Sequence, residues 1–197
     1  MSAICESQYF ESVLSIRTST HTDYEGTNGV VIASSDLYRD CNPPQEKSKA
    51  FYAFDKSINK QGSGCVWHAS GYTKSPKYTQ EWIGYNFNIP QKIHKIGFYV
   101  AGSTYYAPKN FKVQVSDNGT EWIDIFSTIA SQNDYDTYIT GNTSTAVLKY
   151  NKDIIVNKEK SYKYYRILIN STLSDDGTLI TALSEIYFYG REATSLR

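Results

Sequence analysis

Two runs near the C-terminus alternate apolar and polar residues, and this period of two constrains the fold more than any other feature of the chain. They are Lys163–Asn170 and Ala182–Gly190. A strand places successive side chains on opposite faces of a sheet, so alternation gives one apolar and one polar face. The two runs therefore predict a pair of β-strands that complete a β-sandwich, with Glu185 at the start of the last strand.

The middle of the chain shows the same period. Glu81–Ile89 alternates cleanly, and the two faces of this predicted strand would carry Trp82, Gly84, Asn86 and Asn88 on one side and Ile83, Tyr85, Phe87 and Ile89 on the other. Pro90 is expected to end the strand, because proline has no backbone N–H to donate. Further strands are predicted at Lys92–Val100, Phe111–Ser116 and Glu121–Ser127, the last two joined by a hairpin turn at Asp117–Thr120.

The other segments are shorter and richer in turn residues. Strands are predicted at Phe10–Thr18, Asn28–Ser34 and Cys65–His68 and within Val147–Val156, and a long exposed excursion is predicted at Asn133–Thr145. No segment has a convincing amphipathic helix period. Many short strands between turn signals indicate an all-β sandwich or barrel. In such a fold we expect Trp82, Phe111 and Trp122 to lie in the core and Arg166 to be structural.

The charge balance and the motif content exclude several classes of function. Lys+Arg and Asp+Glu number 20 each, so the net charge is zero and the basic field of a nucleic-acid binder is missing. No apolar run reaches membrane-spanning length. No nucleophile motif, phosphate loop or metal spacing of the three histidines (His21, His68 and His94) is present, so an enzyme is not predicted.

The N-terminus and the cysteines indicate the cellular compartment in which the protein is synthesised. Met1–Phe10 has no basic segment followed by a long apolar stretch, so a signal peptide is not predicted. Cys5, Cys41 and Cys65 are widely spaced and odd in number, which indicates inert thiols and not a disulfide framework. Synthesis in a reducing cytoplasm is the simplest interpretation.

The order of several short motifs resembles that of one known family. The motifs are Ala53-Phe-Asp55, Trp67, Glu81-Trp-Ile83 with Phe87, Lys95-Ile-Gly-Phe-Tyr99, Phe111 to Trp122, Tyr164-Tyr-Arg-Ile167 and Ala182-Leu-Ser-Glu-Ile186. Together they resemble the discoidin, or coagulation factor V/VIII C-type, domains, which include the family 32 carbohydrate-binding modules. The resemblance covers roughly residues 50–190 and implies a galactose-binding-like jelly roll of about eight strands, here with extra N-terminal strands.

This resemblance divides the chain into three parts. Residues 1–45 form an N-terminal extension whose strands are expected to dock on the domain or on a partner. Residues 46–191 form the discoidin-like β-sandwich, and residues 192–197 form a C-terminal tail.

The resemblance also implies a structural Ca²⁺ site. The ligand positions of the family fall on the carboxylates of Asp55 and Glu185, with Tyr52 and Ser184 as carbonyl candidates and Ser63 as a hydroxyl candidate. The chain departs from the family pattern because the segment from Asp55 to Trp67 is longer than usual and Cys65 replaces a threonine. A second interpretation is equally open, in which Asp55 caps a turn and Glu185 accepts backbone hydrogen bonds without any metal.

The resemblance also implies a sugar-binding site on the loops at one end of the sandwich. The candidate side chains there are His68, Tyr72, Lys74, Tyr78, Tyr105, Tyr106 and Lys109. The pair Tyr105-Tyr106 is the most informative, because paired aromatics in a loop have little reason to be there for the core. Galactose-binding relatives often carry an arginine in this loop, and this chain has none. The alternative is that one tyrosine packs inward and the other contacts a protein neighbour.

These features favour a non-catalytic carbohydrate-binding or adhesion module that recognises a cell-surface glycan. The protein is expected to be part of a larger particle, such as the tail, fibre or capsid decoration of a phage or virus, and to act there or at a cell surface. A second hypothesis is a structural or protein-interaction subunit without a sugar ligand, in which the loops and residues 1–45 contact other subunits. A third is the accessory domain of an enzyme.

Overall fold

The computed structural model describes residues 25–26, 28–36, 48–56, 58, 66–69, 79–139, 146–156, 159–174 and 179–191. The strands are β1 (Glu25–Gly26), β2 (Gly29–Ala33), β3 (Trp67–His68), β4 (Glu81–Val100), β5 (Pro108–Ser116), β6 (Ile123–Ile129), β7 (Tyr135–Ile139), β8 (Ala146–Tyr150), β9 (Ile154–Ile155), β10 (Tyr162–Thr172) and β11 (Ala182–Arg191). The helical elements in these ranges are short 3₁₀ helices at Ala50–Phe54, Thr104–Tyr106 and Gln132–Asp134. None of the helices in the described ranges is long and apolar enough to cross a bilayer.

The strands form two antiparallel layers. Sheet 1 has the order β1-β2-β4-β10-β5-β6. Sheet 2 has the order β7-β8-β4-β11-β3, and the short β9 pairs with β4 as well. The predicted all-β jelly-roll sandwich is therefore confirmed, including both C-terminal strands and an extra strand, β2, on the N-terminal side.

Strand β4 belongs to both sheets. Its first half pairs with β2 and β10, and its second half pairs with β8, β9 and β11. The prediction that Pro90 ends the strand is wrong. Pro90 lies at the exposed corner between the two halves, where its missing N–H costs no ladder hydrogen bond. Just past the corner, the Tyr165 hydroxyl donates to the Gln91 carbonyl oxygen at 2.7 Å and accepts from the Ile93 N–H at 3.4 Å.

The core lies between the two sheets and is rich in aromatic rings. Its largest fully buried side chains include Trp67, Tyr165, Phe54, Phe98, Phe111 and Phe188. Phe98 reaches Phe111 from the opposite sheet, with ring centroids 5.5 Å apart and nearly perpendicular planes. The core position predicted for Phe111 is confirmed.

Several sequence predictions about side-chain placement are wrong. Ile89, predicted on the apolar face with Ile83, Tyr85 and Phe87, is 64% exposed because it sits at the corner of β4. Trp82 is half-buried on the outer face of sheet 1, and Trp122 is half-buried in the turn before β6, so neither indole is in the core. The described part of the excursion predicted at Asn133–Thr145 is the end of a 3₁₀ helix followed by strand β7, and residues 140–145 lie outside the described residues. Tyr135 of β7 is buried and donates its hydroxyl to the Pro108 carbonyl oxygen at 2.5 Å.

The N-terminal part of the chain is described only in β1, β2 and the residues beside them. β2 pairs with β4 from Gly29↔Phe87 to Ala33↔Ile83, so this piece of the predicted extension is a strand of sheet 1. The predicted strand Phe10–Thr18, the cysteines and the tail 192–197 lie outside the described residues. The boundary at residue 45 stays a prediction.

Candidate functional site

Three chain segments meet at one end of the sandwich. They are the loop 101–107 between β4 and β5, the end of β3, and the residues that lead into β11. Hydrogen bonds join them: the Ala69 N–H donates to the Thr181 carbonyl oxygen at 3.0 Å, and the Thr181 hydroxyl donates to the Tyr106 carbonyl oxygen at 3.0 Å. This end of the molecule, called the loop end below, is where the predicted sugar-binding residues were placed.

The loop 101–107 presents its two tyrosines in different ways. Gly102 has a φ of 112°, a region that side chains rarely adopt, and the backbone then makes a 3₁₀ turn at Thr104–Tyr106. Tyr106 turns inward and packs against the core, whereas Tyr105 is 37% exposed. Their ring centroids are 5.3 Å apart at 84°, so the inner ring supports the outer one edge to face.

His68 lies beneath Tyr106. The two ring centroids are 5.6 Å apart, and His68 is only 2% exposed. Its Nδ1 is 2.9 Å from the Ala69 carbonyl oxygen, so Nδ1 carries the proton and donates it. Burial lowers the pKa of His68 to about 4, which keeps the ring neutral at physiological pH. His68 thus supports Tyr106 from inside and does not form part of the outer surface.

The other predicted sugar-binding residues are placed differently. Lys109 is half-buried near the start of β5, the strand that the loop enters. Tyr72, Lys74 and Tyr78 lie outside the described residues, in the segment that follows Ala69. The structure therefore brings Tyr105, Tyr106 and His68 together.

The predicted calcium ligands lie around a contact between a 3₁₀ helix and the last strand. Helix Ala50–Phe54 packs against β11, with the rings of Phe54 and Phe188 stacked at 5.9 Å. Asp55 follows as the C-cap residue of this helix and is partly exposed, as is Tyr52. Glu185 and Ser184 are fully buried in β11, and Ser63 lies outside the described residues.

The donor chemistry at this contact fits a hard cation. A buried carboxylate is costly unless positive charge or hydrogen bonds compensate it, and Ca²⁺ prefers carboxylate, carbonyl and hydroxyl oxygens. Within the described ranges, no three His, Cys, Asp or Glu side chains converge. An ion here would therefore need the carbonyl and hydroxyl oxygens in addition to Asp55 and Glu185.

A buried polar cluster that no sequence pattern indicated fixes the base of the loop end. Glu81 is fully buried, and both carboxylate oxygens accept from the Ser35 hydroxyl, at 2.9 and 2.8 Å, while one also accepts from the Ser34 hydroxyl. The Trp67 Nε1–H donates to the Ser35 carbonyl oxygen at 2.8 Å. The cluster thus ties the end of β2 to β4 and to β3, which carries His68. Nothing in the sequence marks Glu81 as buried, because a charged residue at the start of a strand is ordinarily exposed.

Comparisons with known proteins agree with this architecture. The F5/8 type C domain family matches residues 31–183 of the chain. No curated protein matches the chain significantly. Among solved structures, CpGH89CBM32-5 from Clostridium perfringens, in complex with GalNAc-β-1,3-galactose, is 14% identical with a TM-score of 0.55, over 80% of this chain and 92% of that one.

Two further solved structures have the same fold. The family 32 carbohydrate-binding module of NanJ from C. perfringens, in complex with galactose, is 13% identical with a TM-score of 0.55 and covers 81% of this chain and 92% of that one. A fragment of a putative chitobiase from Bacteroides thetaiotaomicron is 12% identical with a TM-score of 0.61 and covers 98% of both chains. At these identities the likeness establishes the fold and leaves the ligand to the residues of this chain.

Proposed function

The chain belongs to the F5/8 type C domain family, and on that premise we propose that it is a non-catalytic module that binds a surface glycan at its loop end. The observation that carries the proposal is the pair of edge-to-face contacts that join Tyr105 to Tyr106 and Tyr106 to His68. A rigid, partly exposed aromatic ring offers the face on which a sugar ring packs at a low cost in conformational entropy. Two of the solved structures with this fold hold galactose or GalNAc-β-1,3-galactose.

The identity of the sugar depends on the polar groups near Tyr105. Loop 101–107 has no arginine, so we expect the module to prefer a glycan other than terminal galactose. His68 is buried and neutral, and so its role is to hold Tyr106 in place. Lys109 and the predicted residues Tyr72, Lys74 and Tyr78 remain our candidates for contacts with sugar hydroxyls.

We also propose that a structural Ca²⁺ lies beneath the loop end. Asp55 and Glu185 would supply carboxylate oxygens, Tyr52 and Ser184 would supply carbonyl oxygens, and Ser63 would supply a hydroxyl. Such an ion would join helix Ala50–Phe54 to β11, and this helix also packs against β3. Its contribution would be to the rigidity of the loop end, not to any reaction.

The role in a larger particle is a separate proposal. We infer that the module is displayed on a phage or viral particle and that residues 1–45 contribute the contacts with other subunits. Deletion of residues 1–24 leaves β1 and β2 in place, so it should abolish incorporation into particles without unfolding the sandwich. Normal incorporation of the truncated protein would contradict this role.

A glycan array with the purified protein tests the main proposal. We expect selective binding that Tyr105→Ala abolishes and that Tyr138→Ala leaves intact. Tyr138 is a matched control, because it is 40% exposed and lies on β7 of sheet 2 and not on the loop. A blank array with a folded protein would contradict glycan recognition and favour the alternative, a protein-interaction subunit.

A further inference from the structure

A second aromatic site lies on the outer face of sheet 1. The guanidinium of Arg166 sits between two indoles, with its central carbon 3.8 Å from the ring centroid of Trp122 and 5.1 Å from that of Trp82. All three side chains are half-buried. Both distances are within the range of a cation–π interaction. We call these three residues the sheet-face site.

Strand register explains why Arg166 and Trp82 meet. Arg166 on β10 lies opposite Gly84 on β4, two residues from Trp82 on the same face. A Cβ on Gly84 would lie 2.1 Å from the Tyr165 carbonyl oxygen and 2.7 Å from the Arg166 Cα. Glycine therefore allows the two strands to approach closely beneath the guanidinium.

A rigid hairpin turn supplies the second indole. The Ser116 hydroxyl accepts from the backbone N–H groups of Asn118 and Gly119, at 3.2 and 2.9 Å, and Gly119 has a φ of 77°. The ring of Tyr164 packs beneath this turn and meets the indole of Trp122 at 6.3 Å and 76°. Trp122 is thus held over Arg166 by the turn and by the strand below it.

A chain of hydrogen bonds fixes the orientation of the guanidinium. Arg166 Nε donates to Gln114 Oε1 at 2.7 Å, Gln114 Nε2 donates to Asp124 Oδ1 at 2.6 Å, and the ammonium of Lys112 pairs with Asp124 Oδ2 at 2.6 Å. This arrangement uses only Nε of Arg166. Among the described residues, its two terminal nitrogens have no hydrogen-bond acceptor.

The charge of the site is positive. Lys112 already pairs with Asp124, and Lys163 adds a cation over the ring of Tyr164, 5.9 Å from its centroid. Burial between the indoles lowers the pKa of Arg166 to about 10, which leaves the group fully charged at neutral pH. A guanidinium whose terminal N–H groups are free matches a carboxylate in a bidentate fashion.

We propose that the sheet-face site binds the carboxylate of an acidic sugar, such as a uronic acid residue in a glycan. The carboxylate would accept from both terminal nitrogens of Arg166, and the exposed edges of Trp82 and Trp122 would contact the sugar ring. This site shares no side chain with the loop-end contacts of Tyr105, Tyr106 and His68.

The position of Arg166 in the sheet favours a sugar over a peptide. β10 is an inner strand, and both of its edges are already paired, with β4 and with β5. An acidic peptide therefore cannot add to this strand through backbone hydrogen bonds. The face offers only aromatic rings and polar side chains, which are the groups that hold sugars.

The test compares two sugars that differ in one group. Methyl β-D-glucuronide and methyl β-D-glucoside are titrated into the wild-type protein, followed by calorimetry and by tryptophan fluorescence. Trp67 is fully buried, so a change in fluorescence reports Trp82 and Trp122. We expect the glucuronide to bind and shift the fluorescence, and the glucoside to produce no shift.

Three variants locate the binding. Arg166→Lys keeps the charge but loses the bidentate geometry, and it should weaken glucuronide binding at least about tenfold. Lys163→Gln removes the cation over the neighbouring Tyr164 ring and should weaken binding by less than Arg166→Lys. Tyr105→Ala should leave glucuronide binding unchanged, which separates this proposal from the function of the loop end.

Each contrary result overturns the proposal. Equal fluorescence responses to both sugars, or full glucuronide affinity in Arg166→Lys, would rule out carboxylate recognition by the guanidinium. If Arg166→Lys does not fold, the comparison of the two sugars on the wild-type protein still tests whether the site recognises the carboxylate. A tetraglutamate peptide that binds as tightly as the glucuronide would show that the site recognises acidic peptides and not acidic sugars.

Discussion

The loop end and the sheet-face site both display aromatic rings, but different structural elements and different charges support those rings. At the loop end, Tyr105 contacts Tyr106, which in turn contacts the buried, neutral His68, and the exposed Tyr105 ring lies in a loop. At the sheet-face site, two indoles enclose the charged side chain of Arg166. Arg166 lies on an inner strand, and a tight turn positions one of the indoles. The first can change its ligand through its loops, whereas the second is tied to strand register and suits one kind of charged group.

The largest expected effect is the loss of stability when the close approach of β4 and β10 under the sheet-face site is disturbed. Gly84→Ala places a Cβ 2.1 Å from the Tyr165 carbonyl oxygen, so the strands must separate. We expect a loss of about 4 kcal/mol or more in the free energy of unfolding, measured by urea denaturation.

Gly97→Ala in the other half of β4 is the matched control for Gly84→Ala. Its Cβ would meet only the Tyr189 ring, at 3.8 Å, so the free energy of unfolding should change by less than about 1 kcal/mol. Equal stability of the two variants would contradict the close approach at Gly84.

The next largest effect is expected from removal of calcium, which should act on the loop end and not on the sheet-face site. If Asp55 and Glu185 hold an ion beneath the loop end, chelation lowers the melting temperature by about 5–10 °C, because a ligand at a hundred times its Kd stabilises by about 2.7 kcal/mol. Asp55→Ala should remove this dependence, as measured by differential scanning calorimetry. Asp153→Ala, which removes only a surface ion pair with Lys95, should retain it. An unchanged melting temperature after chelation would contradict a calcium site at Asp55 and Glu185.

Acid should weaken the loop end through His68. Its folded pKa is about 4, below the value of about 6.5 in an unfolded chain, so the unfolded state binds more protons between these values. Stability is therefore complete above pH 6.5 and falls as the pH drops towards 4, by about 2 kcal/mol between pH 7 and pH 5.

Variants at two histidines check this assignment. His68→Asn keeps an N–H for the Ala69 carbonyl oxygen but cannot titrate, and so it should show a smaller loss of unfolding free energy between pH 7 and pH 5. His94→Asn, at a half-buried position on β4, should lose as much as the wild type. The same pH dependence in all three proteins would rule out His68 as the source.

The smallest expected effect is in the response of binding to salt. Raising NaCl from about 0.05 to 0.5 M shortens the screening length well below 10 Å, and it should weaken glucuronide binding at Arg166 several-fold. Binding of a neutral glycan at Tyr105 should be nearly unaffected, as measured by calorimetry. Equal salt dependence at both sites would remove the distinction between a charged and a neutral site.

The sequence predicted the strands better than it predicted the sites. Alternation located β5, β10 and β11, since a half-buried strand imposes its period directly on the residues. The prediction of a strand end at Pro90 was wrong, because a proline interrupts a strand only where its N–H would donate to the neighbouring strand. At the corner of β4 no such hydrogen bond is required. Tyr135 was missed because a single buried aromatic in a polar segment gives no period.

The sites depend on contacts that a single strand pattern does not contain. Nothing in the pair Tyr105-Tyr106 tells which ring turns inward, since this depends on the 3₁₀ turn and on His68 from a distant segment. Trp82 and Trp122 were expected in the core because they lie in predicted strands. The register of β4 with β10 instead brings Trp82 beside Arg166, and the turn before β6 brings Trp122 to its other side. Register and loop conformation are tertiary properties, and residue type alone underdetermines them.

The continuity of β4 has a consequence for how the molecule opens. Because a single strand supplies ladder hydrogen bonds to both layers, neither layer can lose its central strand while the other keeps it intact. Protection of backbone amides against hydrogen exchange should then be similar for Ile83 and Phe98, which lie in opposite halves of this strand. The domain would behave as one cooperative unit, so damage to the framework of one site would also reduce the lifetime of the other.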